Sequence, residues 1–208
     1  ERYFEAARDL DVRPDGRPPE IVLSAAAEAG ADQWLASRGI HTPFMALAPG
    51  AAHATKRWPA PSWSALAAAL ARRGIGIVTV GGPEDREVGA EVAAAAAAAG
   101  GMGTSAAGAA TLVETAALLR RAAVAVSGDT GVMHLATAVG TPVVALFGPT
   151  VREFGFFPYT PAATVIERDL DCRPCSAHGS ARCPLGHHDC LRKIDVATVE
   201  AAVLEWIR

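Results

Sequence analysis

From residue 43 onward the chain alternates between two hydrophobic patterns. Short, almost wholly apolar runs of about five residues, as strands buried on both faces require, are separated by stretches of about 10 to 15 residues whose apolar positions recur at helical spacing. Phe44-Met-Ala-Leu-Ala48 is the first buried run, and a helix is expected over 62–73. A strand over 75–80 and a helix over 84–99 follow. A weak strand near Gly103-Thr-Ser-Ala106 precedes a helix over 111–121, a strand over 123–126, a helix from Thr130 and the strand Val143-Val-Ala-Leu-Phe147. Upstream, Ser24 caps a helix over 24–38 with Ala27, Ala31, Trp34 and Leu35 on one face and Gly39 at its end. Residues 1–23 hold a short amphipathic segment, Tyr3 to Leu10, and a Pro-rich stretch, Arg13 to Pro19, that reads as an extended linker. Residues 195–208 form a last amphipathic helix with Val196, Val199, Val203 and Ile207 inward.

Strands that alternate with helices imply an α/β fold, a parallel sheet covered by helices on both faces. With right-handed crossovers the expected strand order is 3-2-1-4-5, a Rossmann-like arrangement in which ligands bind at the switch point between the carboxyl ends of strands 1 and 4. The two loops richest in polar groups follow those strands. They are Pro49-Gly-Ala-Ala-His-Ala-Thr-Lys-Arg-Trp58 and Ser127-Gly-Asp-Thr-Gly131.

The second loop suits an anion. Asp129 is placed to cap the next helix, whose free amides around Thr130, Gly131 and Val132 would face a ligand together with the positive end of the dipole. Gly131 would let a phosphate approach the backbone, and His134 lies one turn further on the face of Thr130. The same segment also fits an ordinary βαβ unit whose Asp merely caps a helix. In the first loop, Pro49-Gly50 is a turn whose backbone can come close to a ligand, and Lys56 is the candidate for a phosphate contact. Arg57 could assist it or be a surface cation, and Trp58 with Pro59 fits a staple for the following helix better than a base-stacking platform. After strand 2, the acids Glu84-Asp85 stand where a Rossmann-like half holds ribose hydroxyls, although an acid there also offsets a helix dipole, which accounts for Glu84. No G-x-G-x-x-G follows strand 1, which argues against a hydride-transfer dinucleotide enzyme.

Bulk properties narrow the picture. The 208 residues can bury one substantial core, and no apolar stretch reaches the roughly 20 residues of a membrane span. A net charge of -3 with mixed signs offers no broad basic field, so nucleic acid is not an expected partner. Alanine makes up about a fifth of the chain, which favours helix. The start, Glu1-Arg-Tyr-Phe4, has neither an initiator Met nor the profile of a signal peptide and reads as a piece of a longer protein.

All four cysteines fall between Cys172 and Cys190, with Cys175 and Cys183 between them, interleaved with His178, His187 and His188. A structural zinc on Cys172, Cys175, Cys183 and Cys190, two disulfides, or reduced thiols are the readings of this spacing. The role is structural in each.

Taken together, Ala48-Pro-Gly50 with Thr55-Lys-Arg-Trp-Pro59, Gly81-Gly-Pro-Glu-Asp85, Asp129-Thr-Gly-Val-Met-His-Leu-Ala136 and Leu146-Phe-Gly-Pro-Thr150 resemble glycosyltransferase family 9, the ADP-heptose:lipopolysaccharide heptosyltransferases of the GT-B fold. The resemblance covers about residues 43 to 208, and Cys183-Pro-Leu-Gly-His-His-Asp-Cys-Leu191 looks more like the heptosyltransferase II branch. It implies that residues 1–42 end an acceptor domain and linker, and that 43–208 form the nucleotide-sugar-binding half, including the Cys-rich loop 171–191 and the final helix. By it, Lys56, Thr130 and Gly131 would contact the donor diphosphate, Asp129 and His134 would hold the sugar-phosphate end, Asp85 would bind the ribose, and the turn before Thr111 would border the adenine. The catalytic base would lie in the other half. The implied reaction is an inverting transfer of heptose from ADP-heptose to a lipid A core acceptor, with no organic cofactor. The implied location is cytoplasmic, with peripheral contact at the inner face of the inner membrane left open. The competing readings are a non-catalytic nucleotide-binding or zinc-stapled Rossmann-like module and a nucleotide-sugar epimerase. The epimerase needs a glycine fingerprint and a Tyr-x-x-x-Lys pair, and neither Tyr3 nor Tyr159 has the lysine.

Overall fold

The computed structural model describes residues 4, 6–13, 15–41 and 43–207. Six parallel strands form one sheet in the order β3-β2-β1-β4-β5-β6. They are β1 (Phe44–Ala48), β2 (Gly76–Thr79), β3 (Gly103–Ser105), β4 (Val124–Gly128), β5 (Val143–Phe147) and β6 (Ala163–Glu167). The helices are α1 (Ala25–Ala36), α2 (Ala60–Arg72), α3 (Arg86–Ala98), α4 (Leu112–Arg121), α5 (Gly131–Ala138), α6 (Asp189–Arg192) and α7 (Val196–Glu205). The order 3-2-1-4-5 holds for the first five strands. The sixth, beyond β5 at the sheet edge, is not anticipated by the pattern because no helix separates it from β5 and its residues are only half-buried.

Every residue of β1 is buried, and period-two alternation divides them between two cores. Phe44, Ala46 and Ala48 face a layer built by α1, α4 and α5, with Leu35, Leu118, Leu119 and Met133 as its larger side chains. Met45 and Leu47 face the opposite layer, where Trp63, Leu66 and Leu70 of α2 meet Val92 of α3 and Val199 and Val203 of α7. The parallel registers bring Ala48 beside Ser127, so β1 and β4 release their loops next to each other.

Helix ends follow local chemistry. Ser24 accepts a hydrogen bond from Ala27 N and starts α1; Thr111 and Glu114 form a reciprocal capping box that starts α4. α1 lies against α4, buries Ala31 and Leu35 in the same core as β1, and carries Asp32, which pairs with the Arg121 guanidinium at 2.6 Å. That ion pair is exposed and adds little; the apolar face holds the helix. The packing of the sheet unit therefore extends upstream of residue 43 to α1, and Ile21 N also donates to Ala138 O. Of the amphipathic segment expected over Tyr3 to Leu10, Tyr3 and Glu5 lie outside the described residues, and the short 3-10 turn Arg8–Leu10 buries nothing. Pro14, Thr42 and Arg208 also lie outside them.

Replacing Leu35 with Ala should cost about 2 to 4 kcal/mol of unfolding free energy, the range for emptying a packed leucine site. Urea denaturation checks this. A loss below about 1 kcal/mol would mean that α1 is not part of the cooperative unit.

Candidate functional site

Three loops from the carboxyl ends of β1, β4 and β5 converge on one carboxylate. Lys56, in a 3-10 turn (Ala54–Lys56) after β1, places Nζ 2.6 Å from Asp129 Oδ2. Thr150, following β5, donates its Oγ1 hydroxyl to the same oxygen at 2.7 Å. Thr150 is fully buried, and the Lys56 and Asp129 side chains are 12% and 5% exposed, so the pair is poorly hydrated and strongly coupled to its partners. Phe156, in the loop after β5, has its ring centroid 5.4 Å from the ammonium.

This geometry corrects the reading of Asp129 as a helix cap. Thr130 occupies the N-cap position of α5, with extended backbone angles, and no side chain caps the helix. A carboxylate in this buried spot gains more from an ammonium and a hydroxyl than from one backbone amide, so it turns toward Lys56. The start of α5 is left without a side-chain acceptor or an acid in its first turn. It can still take an anion. Gly131 sits there exposed, and a Cβ built on it would meet nothing within 4 Å. Thr130 Oγ1 shares a 3.0 Å hydrogen bond with Ser127 Oγ. His134 is open to solvent but flanked by protein: loss of hydration holds its pKa below the ordinary 6.5, Asp129 opposes the shift and Lys56 adds to it.

Lys56, Asp129, Thr130, Gly131 and His134 thus come together. Asp85 stands apart, beyond Gly50. Its Oδ2 accepts from Gly82 N at 2.9 Å, and a Cβ on Gly50 would overlap its carboxyl group. The missing side chain of Gly50 makes room for the Asp85 carboxyl group, a contact the sequence did not show. Asp85 lines a cleft of about 410 Å³ with Gly50, Arg57, Trp58, Glu84 and Arg192. Thr111 is exposed and engaged in its capping box with Glu114. Trp58 is buried edge-on against Trp63 at 5.2 Å and donates Nε1–H to Ile194 O, which fits the staple and not a stacking platform. Arg57 is exposed.

The four cysteines are free thiols, and no group of three or more His, Cys, Asp or Glu side chains among the described residues is placed to hold a metal ion. Burial pushes the Cys190 thiol up to about 11 and raises Cys175 as well, which favours protonated sulfur there at neutral pH. The sequence reading missed Thr150 and also Arg173, whose guanidinium donates to Gly148 O and Thr150 O behind the site. Thr150 carried a signal, as a polar residue just past a buried strand.

The sequence profile of glycosyltransferase family 9 (heptosyltransferase) matches residues 1–185. The chain belongs to glycosyltransferase family 9. It is 32% identical over 177 residues to lipooligosaccharide heptosyltransferase 2 of Haemophilus influenzae, a match covering 80% of this chain and 51% of that protein. Lipopolysaccharide heptosyltransferase 2 of Salmonella typhimurium is 35% identical over 114 residues, 54% of this chain and 33% of that one. Among solved structures, the ADP-heptose LPS heptosyltransferase II of E. coli superposes with a TM-score of 0.76 at 25% identity, covering 95% of this chain and 56% of that chain. The chain thus spans about half the length of such family 9 proteins. It shares their α/β sheet fold.

Two measurements check the site. Asp129→Ala would strand a largely buried ammonium, and unfolding free energy should fall by about 3 kcal/mol. A loss no greater than the ~1 kcal/mol of a helix cap would mean that Asp129 acts only locally. For His134 the folded pKa lies below the unfolded value, so the unfolded chain binds the proton first as pH falls through 6.5, and stability drops until the folded pKa is passed. An NMR titration of the His134 ring should give a midpoint below 6.5, and one at or above it would contradict this account of its surroundings.

Proposed function

We propose that this chain is the donor-binding part of an inverting GT-B glycosyltransferase that transfers heptose from ADP-heptose in lipopolysaccharide core biosynthesis. The observation that carries the reading is the uncapped start of α5, open at Gly131, beside the Lys56–Asp129–Thr150 cluster at the β1/β4 switch point. Membership of family 9 and the heptosyltransferase names of its relatives support the substrate class.

In this reading the diphosphate rests on the amides of α5. Lys56 has three N–H donors and gives one to Asp129, so the others are left for phosphate oxygens. As the bond to the anomeric carbon breaks, negative charge grows on the departing diphosphate, and a fixed ammonium with aligned amides stabilises that charge without reorganising. Asp129, whose Oδ2 holds Lys56 and Thr150, would accept from a sugar hydroxyl through Oδ1, and His134, neutral at pH 7, would donate or accept at the sugar-phosphate end. Asp85 would take the ribose, and the turn before Thr111 would border the adenine. The lipid A core acceptor and the base that activates it lie outside this donor site in our reading. No helix among the described residues is long and apolar enough to cross a membrane, and we place the reaction in the cytoplasm, with any membrane contact peripheral. For the Cys-rich loop we adopt the reduced-thiol reading, and one zinc per chain in a metal assay of the purified protein would replace it.

Calorimetric titration should show ADP binding in preference to UDP and GDP. Gly131→Val is the discriminating variant: its side chain enters open space in the free protein, so the melting temperature should hold while ADP binding is lost. If ADP stabilises this variant as strongly as the parent, the nucleotide binds elsewhere.

A further inference from the structure

The two loops that supply Lys56 and Thr150 are both held from behind by one stretch of chain, residues 173–191. On the Lys56 side, the contact is with its neighbour Thr55, which is buried. Thr55 N and Oγ1 both donate to Ser180 O, at 3.2 and 3.0 Å, while Ser180 N donates to Thr55 Oγ1 at 2.8 Å. His188, whose backbone is left-handed at φ 56°, brings Nε2 to 2.9 Å from Thr55 O. Gly179 lies so close to His53 that a Cβ on it would be 2.8 Å from the His53 Cβ.

On the Asp129 side, Arg173 does the holding. Its guanidinium, 7% exposed, donates to Gly148 O at 2.5 Å and to Thr150 O at 2.8 Å, and pairs with Glu167 of β6 at 2.6 Å. Cys175 N donates to Pro149 O, and Leu191 packs where a side chain on Gly148 would sit. A flexible lysine cannot hold one geometry by itself, because its four-carbon stem has many rotamers of similar energy.

We propose that residues 173–191 are a strap whose function is to position the Lys56–Asp129 couple for a nucleoside diphosphate, with Arg173 and Thr55 as the positioning residues. The ligand side of this inference rests on the donor-binding reading above; the geometric side does not. The strap fixes Thr55, one residue from the ammonium, and Thr150, which holds the carboxylate. Neither Arg173 nor Thr55 is placed at the ligand.

The chain has only two lysines, Lys56 and Lys193, so lysine-selective ¹⁵N labelling gives one signal from the site and one exposed reference. In the parent, the Lys56 ammonium should exchange its protons more slowly than that of Lys193. Thr55→Val, which removes one hydroxyl, and Arg173→Gln should each speed that exchange and weaken ADP binding by about fivefold to tenfold, the effect of losing one or two hydrogen bonds that orient a binding group. Thr55→Ser keeps the hydroxyl and should keep both properties. In a Lys56→Ala background, Thr55→Val should cause no further loss of ADP affinity, because the strap acts through the ammonium. Lower melting temperatures in both variants, with Lys56 exchange and ADP affinity unchanged, would reduce the strap to a structural prop and overturn the proposal. So would a parent whose Lys56 exchanges as fast as Lys193. A parent that fails to bind ADP while its Lys56 still responds to Thr55→Val would sustain the positioning role and sink the donor reading alone.

Discussion

The ion pair between Lys56 and Asp129 is the interaction on which the rest of the site depends. Taking both groups out of water is unfavourable, and a pair in this position is retained only if other bonds complete it. Thr150 supplies one such bond and leaves Asp129 with two donors on a single oxygen. The requirement then spreads outward. Thr150 must be held, so Arg173 bonds its carbonyl; Arg173 is itself a buried cation, so Glu167 on β6 pairs with it. The edge strand and the irregular Cys-rich segment thereby become part of the site, although neither supplies a member of the Lys56–Asp129–Thr150 cluster.

The parallel sheet explains why the parts meet. Because β1, β4 and β5 are neighbours and run the same way, their loops leave on one side within a few residues of the switch point. Each loop brings a different chemical group: an ammonium after β1, a carboxylate and open amides after β4, a hydroxyl after β5. Burial of both faces of β1 fixes the register, since a slip of one residue would exchange Met45 and Leu47 with Phe44 and Ala46 between the two cores.

The central elements were legible in the sequence for the same reason. Each of the first five strands is separated from the next by a helix with its own periodic apolar face, and Val143–Phe147 has the bounds its apolar run predicts. β6 was not legible, because it follows β5 through a loop whose one regular element is the 3-10 turn Arg152–Phe154 and its residues are mixed in polarity. The candidate residues around α5 were legible as a group, but the role of Asp129 was not. Local rules see an Asp before a helix and assign a cap; only the fold brings Lys56 and Thr150 within reach to outcompete that use. The neighbour of Gly50 was hidden for a similar reason. A glycine after a strand suggests close approach by something, and the sequence could not say that the visitor was Asp85 from the next loop.

The arrangement also bears on how such a site would work. An ammonium free in solution must shed water and lose rotamers when it meets a phosphate, and both losses subtract from affinity. Here the desolvation and ordering of Lys56 have been met during folding, offset by Asp129 and by the contacts that fix Thr55. The carboxylate repels an approaching anion, yet it also keeps the ammonium in place when no ligand is present. The amides at the start of α5 are fixed by the helix and need no such partner. An anion at the start of α5 would therefore meet one cation that Asp129 both restrains and partly offsets, and dipoles already aligned, with the strap behind Thr55 and Thr150 and open space at Gly131.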